Sequence, residues 1–314
     1  MKSIAARRIY APFAALAAAL LAGPTGIAAA CPTCDSDYKP GTYTGEAQRV
    51  GNGVAYTWVT LDQKGKPAAL GVTLTETALE GLPQTQPEGG LGPEYMLMLP
   101  KEAKRTAFQH VSLGWNPLGH EPPGVYDTAH FDFHFYMITP EDREKITATG
   151  ADIVTCRKPV PAAFAPAGYV YAPGTEVPMM GGHWVDPKAP ELNGQPFTKT
   201  FLYGSYNGKM IHFEPMITRA YLETKPDFST EIQVPASYLK GAYYPTRYSI
   251  RHDAVRREYT IALEGMTWRE GAQKAPAPAV SAAARRSTPA ASASRKAATR
   301  SKTTVKAPAG KRGA

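Results

Sequence analysis

The sequence has no apolar run long enough to span a bilayer, no internal repeat and only three cysteines, and its last 44 residues hold no acidic and no aromatic side chain. The first absence argues against a retained membrane anchor, because a spanning helix needs about 20 apolar residues. The main apolar run is Phe13 to Ala22, preceded by Lys2, Arg7 and Arg8 and followed by Gly23-Pro24 and Ala28-Ala29-Ala30. Charged start, short apolar centre and small-residue end together read as a secretory signal peptide over residues 1–30, which predicts a periplasmic or secreted protein. Cleavage after Ala30 makes Cys31 the new terminus. Lipid anchoring through Cys31 is the alternative, although Ala28 stands where a lipidation signal usually carries Leu.

The shortage of cysteine excludes a disulfide-dense scaffold. Cys31, Cys34 and Cys156 make an odd count, so in an oxidising compartment either Cys31 is acylated and the other two pair, or one thiol is left over. Cys31-Pro32-Thr33-Cys34 has redox-pair spacing but lies in an N-terminal linker, residues 31–42, without the strand and helix that would position a dithiol. A local disulfide or an anchored terminus fits that setting better.

The tail without acids also changes the reading of the charge. Residues 271–314 contain 10 Lys and Arg and no Asp or Glu, whereas residues 31–270 contain 22 basic and 27 acidic residues. The overall charge of +8 is thus a mildly acidic body joined to a cationic tail, which argues against a basic domain that reads nucleic acid by sequence. Rich in Ala, Pro, Ser, Lys and Arg, residues 269–314 lack the apolar surface to fold and read as a disordered basic tail. Such a tail suits contact with anionic envelope polymers or lipid headgroups that weakens as salt is raised.

Between the termini, short strands alternate with turns. Val54 to Asp62 alternates with Tyr56 and Trp58 on one parity, Gln63 to Pro67 turns the chain, and Ala68 to Thr75 follows as an antiparallel neighbour. Tyr95 to Leu99, Ala107 to Trp115, Phe201 to Tyr206, Lys209 to Met216, Glu231 to Val234, Arg247 to His252 and Arg257 to Trp268 read as further strands. Asn207-Gly208 is the strongest hairpin signal in the chain. Thr139-Pro140 starts a short helix ending near Thr147, with Thr139 as cap. This pattern predicts one all-β domain over residues 43–268, an antiparallel sandwich or barrel with one or two short helices.

The chemistry concentrates in Gly119 to Met137, GHEPPGVYDTAHFDFHFYM. From His130 onward the residues alternate strictly: His130, Asp132, His134 and Tyr136 on one parity, Phe131, Phe133, Phe135 and Met137 on the other. The aromatic face requires a core, and the other collects groups suited to metal ligation and proton transfer. His120, His130, His134 and, in the Gly181-Gly182-His183-Trp184 stretch, His183 are the candidate ligands for a divalent metal such as zinc; Glu121 and Asp132 are the candidate proton-handling groups. His212 and Glu214 share a face of a later strand and give a weaker signal. His110 and His252 lie in ordinary alternating strands and read as structural or surface residues.

Strand geometry constrains this set. His130 and His134 stand about 13 Å apart along a straight strand, whereas Asp132 is about 6.6 Å from each. One ion held by both imidazoles therefore needs a bulge, a strong twist or ligands from elsewhere. In the other arrangement Asp132 fixes the tautomer of a ligating imidazole.

The stretch GHEPPGVYDTAHFDFHFY, with GGHWVDP and GTYTGEAQ, resembles a family of secreted bacterial proteins built on a domain of unknown function, over roughly Gly41 to Trp268. The resemblance implies a mostly β exported domain and no particular activity. Cupins differ, since they carry H-x-H where this chain has His130 and His134 at H-x-x-x-H. The residues themselves support two functions. One is a metal-binding β-protein acting as a hydrolase or lyase on a small-molecule ligand; the other is a non-enzymatic envelope or binding protein whose polar cluster is structural or at a subunit interface. A homo-oligomer is expected, because aromatic-rich β-domains often protect strand edges by association.

Overall fold

In the computed structural model residues 39–87 and 90–272 are described. The expected signal peptide over residues 1–30, Cys31, Cys34 and nearly all of the expected basic tail lie outside them. In chain order the first strands are β1 (Gly41–Thr44), β2 (Gln48–Val50), β3 (Gly53–Leu61), β4 (Pro67–Thr75), β5 (Glu94–Met98), β6 (His110–Asn116) and β7 (His130–Tyr136). Then come β8 (Val170–Tyr171), β9 (Gly182–Val185), β10 (Lys199–Tyr206), β11 (Lys209–Thr218), β12 (Asp227–Glu231), β13 (Ala242–Tyr244), β14 (Arg247–Asp253), β15 (Glu258–Glu264) and β16 (Thr267–Arg269). Three short α-helices interrupt them, α1 (Pro140–Glu144), α2 (Asp152–Cys156) and α3 (Arg219–Glu223).

The strands form two antiparallel seven-stranded sheets and a small β13–β16 ribbon. Sheet A runs β1-β3-β4-β15-β14-β12, with β2 also pairing β3, and sheet B runs β5-β6-β7-β11-β10-β9-β8. Both sheets are open, so the fold is an all-β sandwich and not a barrel. Their facing sides fill one core. Sheet A contributes Val59, Leu70, Val72, Ile250 and Ile261, and sheet B contributes Phe131, Phe133, Phe135, Tyr203 and Phe213. Phe201 meets Tyr248 across the interface with ring centroids 4.9 Å apart.

Local chemistry explains several boundaries. Asn207 and Gly208 both take positive φ, 51° and 71°, as a primed two-residue hairpin turn requires between β10 and β11. The Thr139 side chain accepts from the Asp142 amide at 3.1 Å, and Pro140 occupies the first turn of α1. Gly265, with φ of 65°, breaks the run expected from Arg257 to Trp268 into β15 and β16. The Gly182–Val185 stretch, which reads as a loop, pairs with β10 and β8 as β9.

β7 occupies the middle of sheet B, between β6 and β11. All seven of its residues are buried. Alternation sends the phenylalanines into the sandwich, so His130, Asp132, His134 and Tyr136 face the opposite side of sheet B. Connecting segments reach that side: His120 and Phe197 lie against His130, and the Thr175 and Met180 carbonyls meet His183 and His212.

Candidate metal centre

Register assembles the polar face from three strands. In the β6–β7 pairing Asn116 stands opposite His130, Gly114 opposite Asp132, Ser112 opposite His134 and His110 opposite Tyr136. On the other side of β7, Thr218 meets His130, Met216 meets Asp132 and His212 meets Tyr136. Continuing that register sets Glu214 beside His134, and the two side chains do meet, with His134 Nε2 3.1 Å from Glu214 Oε1.

The side chains separate into two groups, each built on one buried carboxylate. In the first, Asp132 lies between His130, Nε2 to Oδ1 at 3.1 Å, and His120, Nε2 to Oδ2 at 3.5 Å. Asn116 Nδ2 donates to Asp132 Oδ2 at 2.7 Å. In the second, Glu214 collects His134, His183 Nε2 to Oε2 at 3.5 Å and His212 Nδ1 to Oε2 at 3.8 Å. The candidate ligating atoms of His120, His130 and Asp132 lie within 4.8 Å of one another, as do those of His134, His212 and Glu214. His183 stands at the margin of the second group.

Backbone carbonyls set the imidazole tautomers. His120 Nδ1 meets Glu121 O at 2.7 Å, His130 Nδ1 meets Thr128 O at 2.5 Å and His183 Nδ1 meets Thr175 O at 2.7 Å. A carbonyl only accepts, so each Nδ1 carries the hydrogen and a neutral ring keeps its Nε2 lone pair for the carboxylate side. His212 is reversed: Nε2 donates to Met180 O at 3.2 Å and Nδ1 turns inward. Orientation of a ligating histidine by its second nitrogen is the arrangement metal sites use. His130 Nε2, Asp132 Oδ1, both ring nitrogens of His134, His212 Nδ1 and Glu214 Oε2 are buried without a hydrogen-bond partner among the described residues. Polar atoms cost free energy in that condition unless something else satisfies them.

The electrostatics follow from burial and pairing. Burial alone would raise the Asp132 carboxyl, but the imidazoles of His130 and His120 hold it well below the usual carboxylate range. Burial would likewise lower His120, yet hydrogen bonding and charge from Asp132 bring it up to about 9. His134 rises against burial because of Glu214, whereas burial and the neighbouring His134 and His183 push His212 well down. His110, stacked on Tyr136 at 4.9 Å, is driven down to about 4 by burial and by Arg143.

Most residues expected from the sequence reach the polar face, but they do not form one set. His120, His130 and Asp132 come together; His134 and His183 belong with Glu214. The Glu121 side chain is exposed, and its carbonyl is the group that engages His120. Glu214 and His212 are more central than their sequence signal suggested. Asn116 was not singled out, although β6 shows the same alternation as β7: His110, Ser112 and Asn116 oppose Val111, Leu113 and Trp115. Cavities of about 490 and 310 Å³ elsewhere on the surface share no residue with either group.

No curated protein and no solved structure matches the chain. A family model described as TTHB210-like, Hypothetical protein TTHB210, matches residues 62–115. That stretch begins just after β3, takes in β4 and β5 and ends at Trp115 near the end of β6, and it stops before the GHEPPG segment, β7 and His183. Over this part of the sandwich the chain is therefore similar to a family of hypothetical proteins, and the chemistry of the polar face rests on its own residues.

Proposed function

We propose that this is an exported β-sandwich protein that binds a divalent cation of borderline softness, zinc being the type case. In this reading His120, His130 and Asp132 form the position where a small-molecule substrate meets the ion in a hydrolase or lyase reaction. The observation that carries it is the two-sided use of each imidazole, one nitrogen on a backbone carbonyl and the other turned to a buried carboxylate. Two imidazoles and a carboxylate suit zinc, and three protein ligands leave a coordination position for water or substrate.

The first group is also the better placed for exchange with solvent. Its His120 side chain is 19 % exposed, whereas that of His130 is fully buried. A bound ion would supply Lewis acidity and a water of lowered pKa. The chain's own residues do the rest: Thr128 O and Glu121 O hold the two rings, and Asn116 fixes the Asp132 carboxylate.

The test is metal content. Full-length untagged protein, equilibrated with zinc and dialysed, is expected to retain metal near stoichiometry, and Asp132→Asn to lose the ion of the first group while keeping its far-UV circular dichroism. A folded wild-type protein that retains no metal overturns the proposal and assigns the face to a non-enzymatic network of protonated imidazoles and carboxylates.

A further inference from the structure

We infer that Glu214, His134 and His212, completed by His183, form a second cation site, separate from the first and closed to solvent. The two groups share no residue, and each has its own carboxylate. Their β7 members His130 and His134 are four residues apart, about 13 Å along the strand, which is too far for one ion to serve both.

Hydrogen-bond accounting argues for an ion here and against a simple polar network. His183 Nδ1 and His212 Nε2 spend their hydrogens on Thr175 O and Met180 O. The nitrogens they turn inward, His183 Nε2 and His212 Nδ1, then present lone pairs to Glu214 Oε2 at 3.5 and 3.8 Å. Lone pairs against a carboxylate oxygen repel one another unless something positive lies among them. A proton on His134 relieves only the Oε1 side, at 3.1 Å. One cation relieves all the contacts together.

The spacing suits this. Bonds of about 2.0–2.1 Å in tetrahedral geometry place neighbouring ligand atoms about 3.3 Å apart. The glycine at 204 fits the same purpose: a Cβ there would lie 1.7 Å from His212 Nε2, so β10 has given up its side chain where that ring crosses it. Three imidazoles and one carboxylate select a zinc-like ion over magnesium or calcium. With His134, His212 and Glu214 side chains at most 3 % exposed and His183 at 10 %, four ligands leave no position for substrate. The ion would instead tie the 172–181 segment, which supplies both carbonyls, to the sheet.

This site stands or falls independently of the proposed function. Full-length protein saturated with zinc alone and dialysed is expected to hold two ions per chain, one in Asp132→Asn and one in Glu214→Gln. The ion missing from Glu214→Gln should be the one that leaves the wild type more slowly when EDTA is added. A wild type whose ions are all retained by Glu214→Gln, whether one or two, overturns the second site. Metal loss in Asp132→Asn with none in Glu214→Gln overturns this site alone; loss only in Glu214→Gln overturns the proposed function alone. Should Glu214→Gln fail to fold, His183→Ala, at the margin of the group, decides the matter: one of its two ions must leave faster than in the wild type, and unchanged release overturns the inference.

Discussion

The two sheets have the same number of strands but treat their outer faces oppositely. On sheet A, β3 alternates buried and half-buried positions, with Ala55, Thr57, Val59 and Leu61 inward and Tyr56, Trp58 and Thr60 outward. Its ionic contacts lie on the rim and outer surface, as where Glu76 meets Arg257, His252 and Lys225. On sheet B the outer face of β7 is as buried as the inner one, yet it carries imidazoles and carboxylates. Burial is thus not the same as apolarity. A sheet covered on both sides can keep one side for groups that solvent would otherwise screen, provided each polar atom is matched.

Three substitutions or conditions break or sharpen this contrast. The largest effect is expected on the inner face, where Phe133→Ala should destabilise the protein by about 3–5 kcal/mol through lost burial and a cavity between the sheets. Denaturant unfolding checks it, and a cost under about 1 kcal/mol would mean that the sandwich core does not depend on this face. Next comes Gly204→Ala on the covered outer face, where the added methyl must displace the His212 ring. Overpacking of that kind should cost about 1–3 kcal/mol, read from the same denaturation curves. A neutral result would show that His212 is free to move aside.

The smallest effect belongs to the rim of sheet A. Hydrogen bonds from Arg257, His252 and Lys225 bring the Glu76 carboxyl down to about 2 from its usual value near 4.5. A depressed folded-state pKa means that the contribution is complete above about 4.5 and disappears as pH falls towards 2. Wild type and Glu76→Gln should therefore differ slightly in thermal midpoint at neutral pH and converge in acid. A gap that widens in acid would contradict the assignment.

The local features of this fold were legible in the sequence. HFDFHFY announces a two-faced strand, Asn207-Gly208 a hairpin and Thr139-Pro140 a helix start, because each signal is contained within a few residues. What was not legible is pairing at a distance. The sequence places His130 and His134 on one face, but nothing near them says that Glu214, 80 residues beyond His134, supplies the carboxylate for one and Asp132 that for the other. β11's register against β7 decides this, and register is a property of the folded sheet. For the same reason one expected ligand set became two groups. β9 was missed because GGHW carries turn-forming glycines, and its pairing with β10 and β8 outweighs that local preference. β12 forms at Asp227–Glu231, four residues before the expected start, where the register with β14 sets it.

The four carbonyls that orient the imidazoles belong to Glu121, Thr128, Thr175 and Met180, and none of these acceptors is a side-chain atom. Residue identity at those positions is consequently uncoupled from tautomer control: any amino acid that follows the same backbone path offers the same acceptor. Over evolutionary time this leaves the lettering around the site free to drift while the lengths of the connecting segments stay constrained. A comparison that aligns loop lengths to the histidines will therefore follow this chemistry into distant sequences further than one that scores the letters between them.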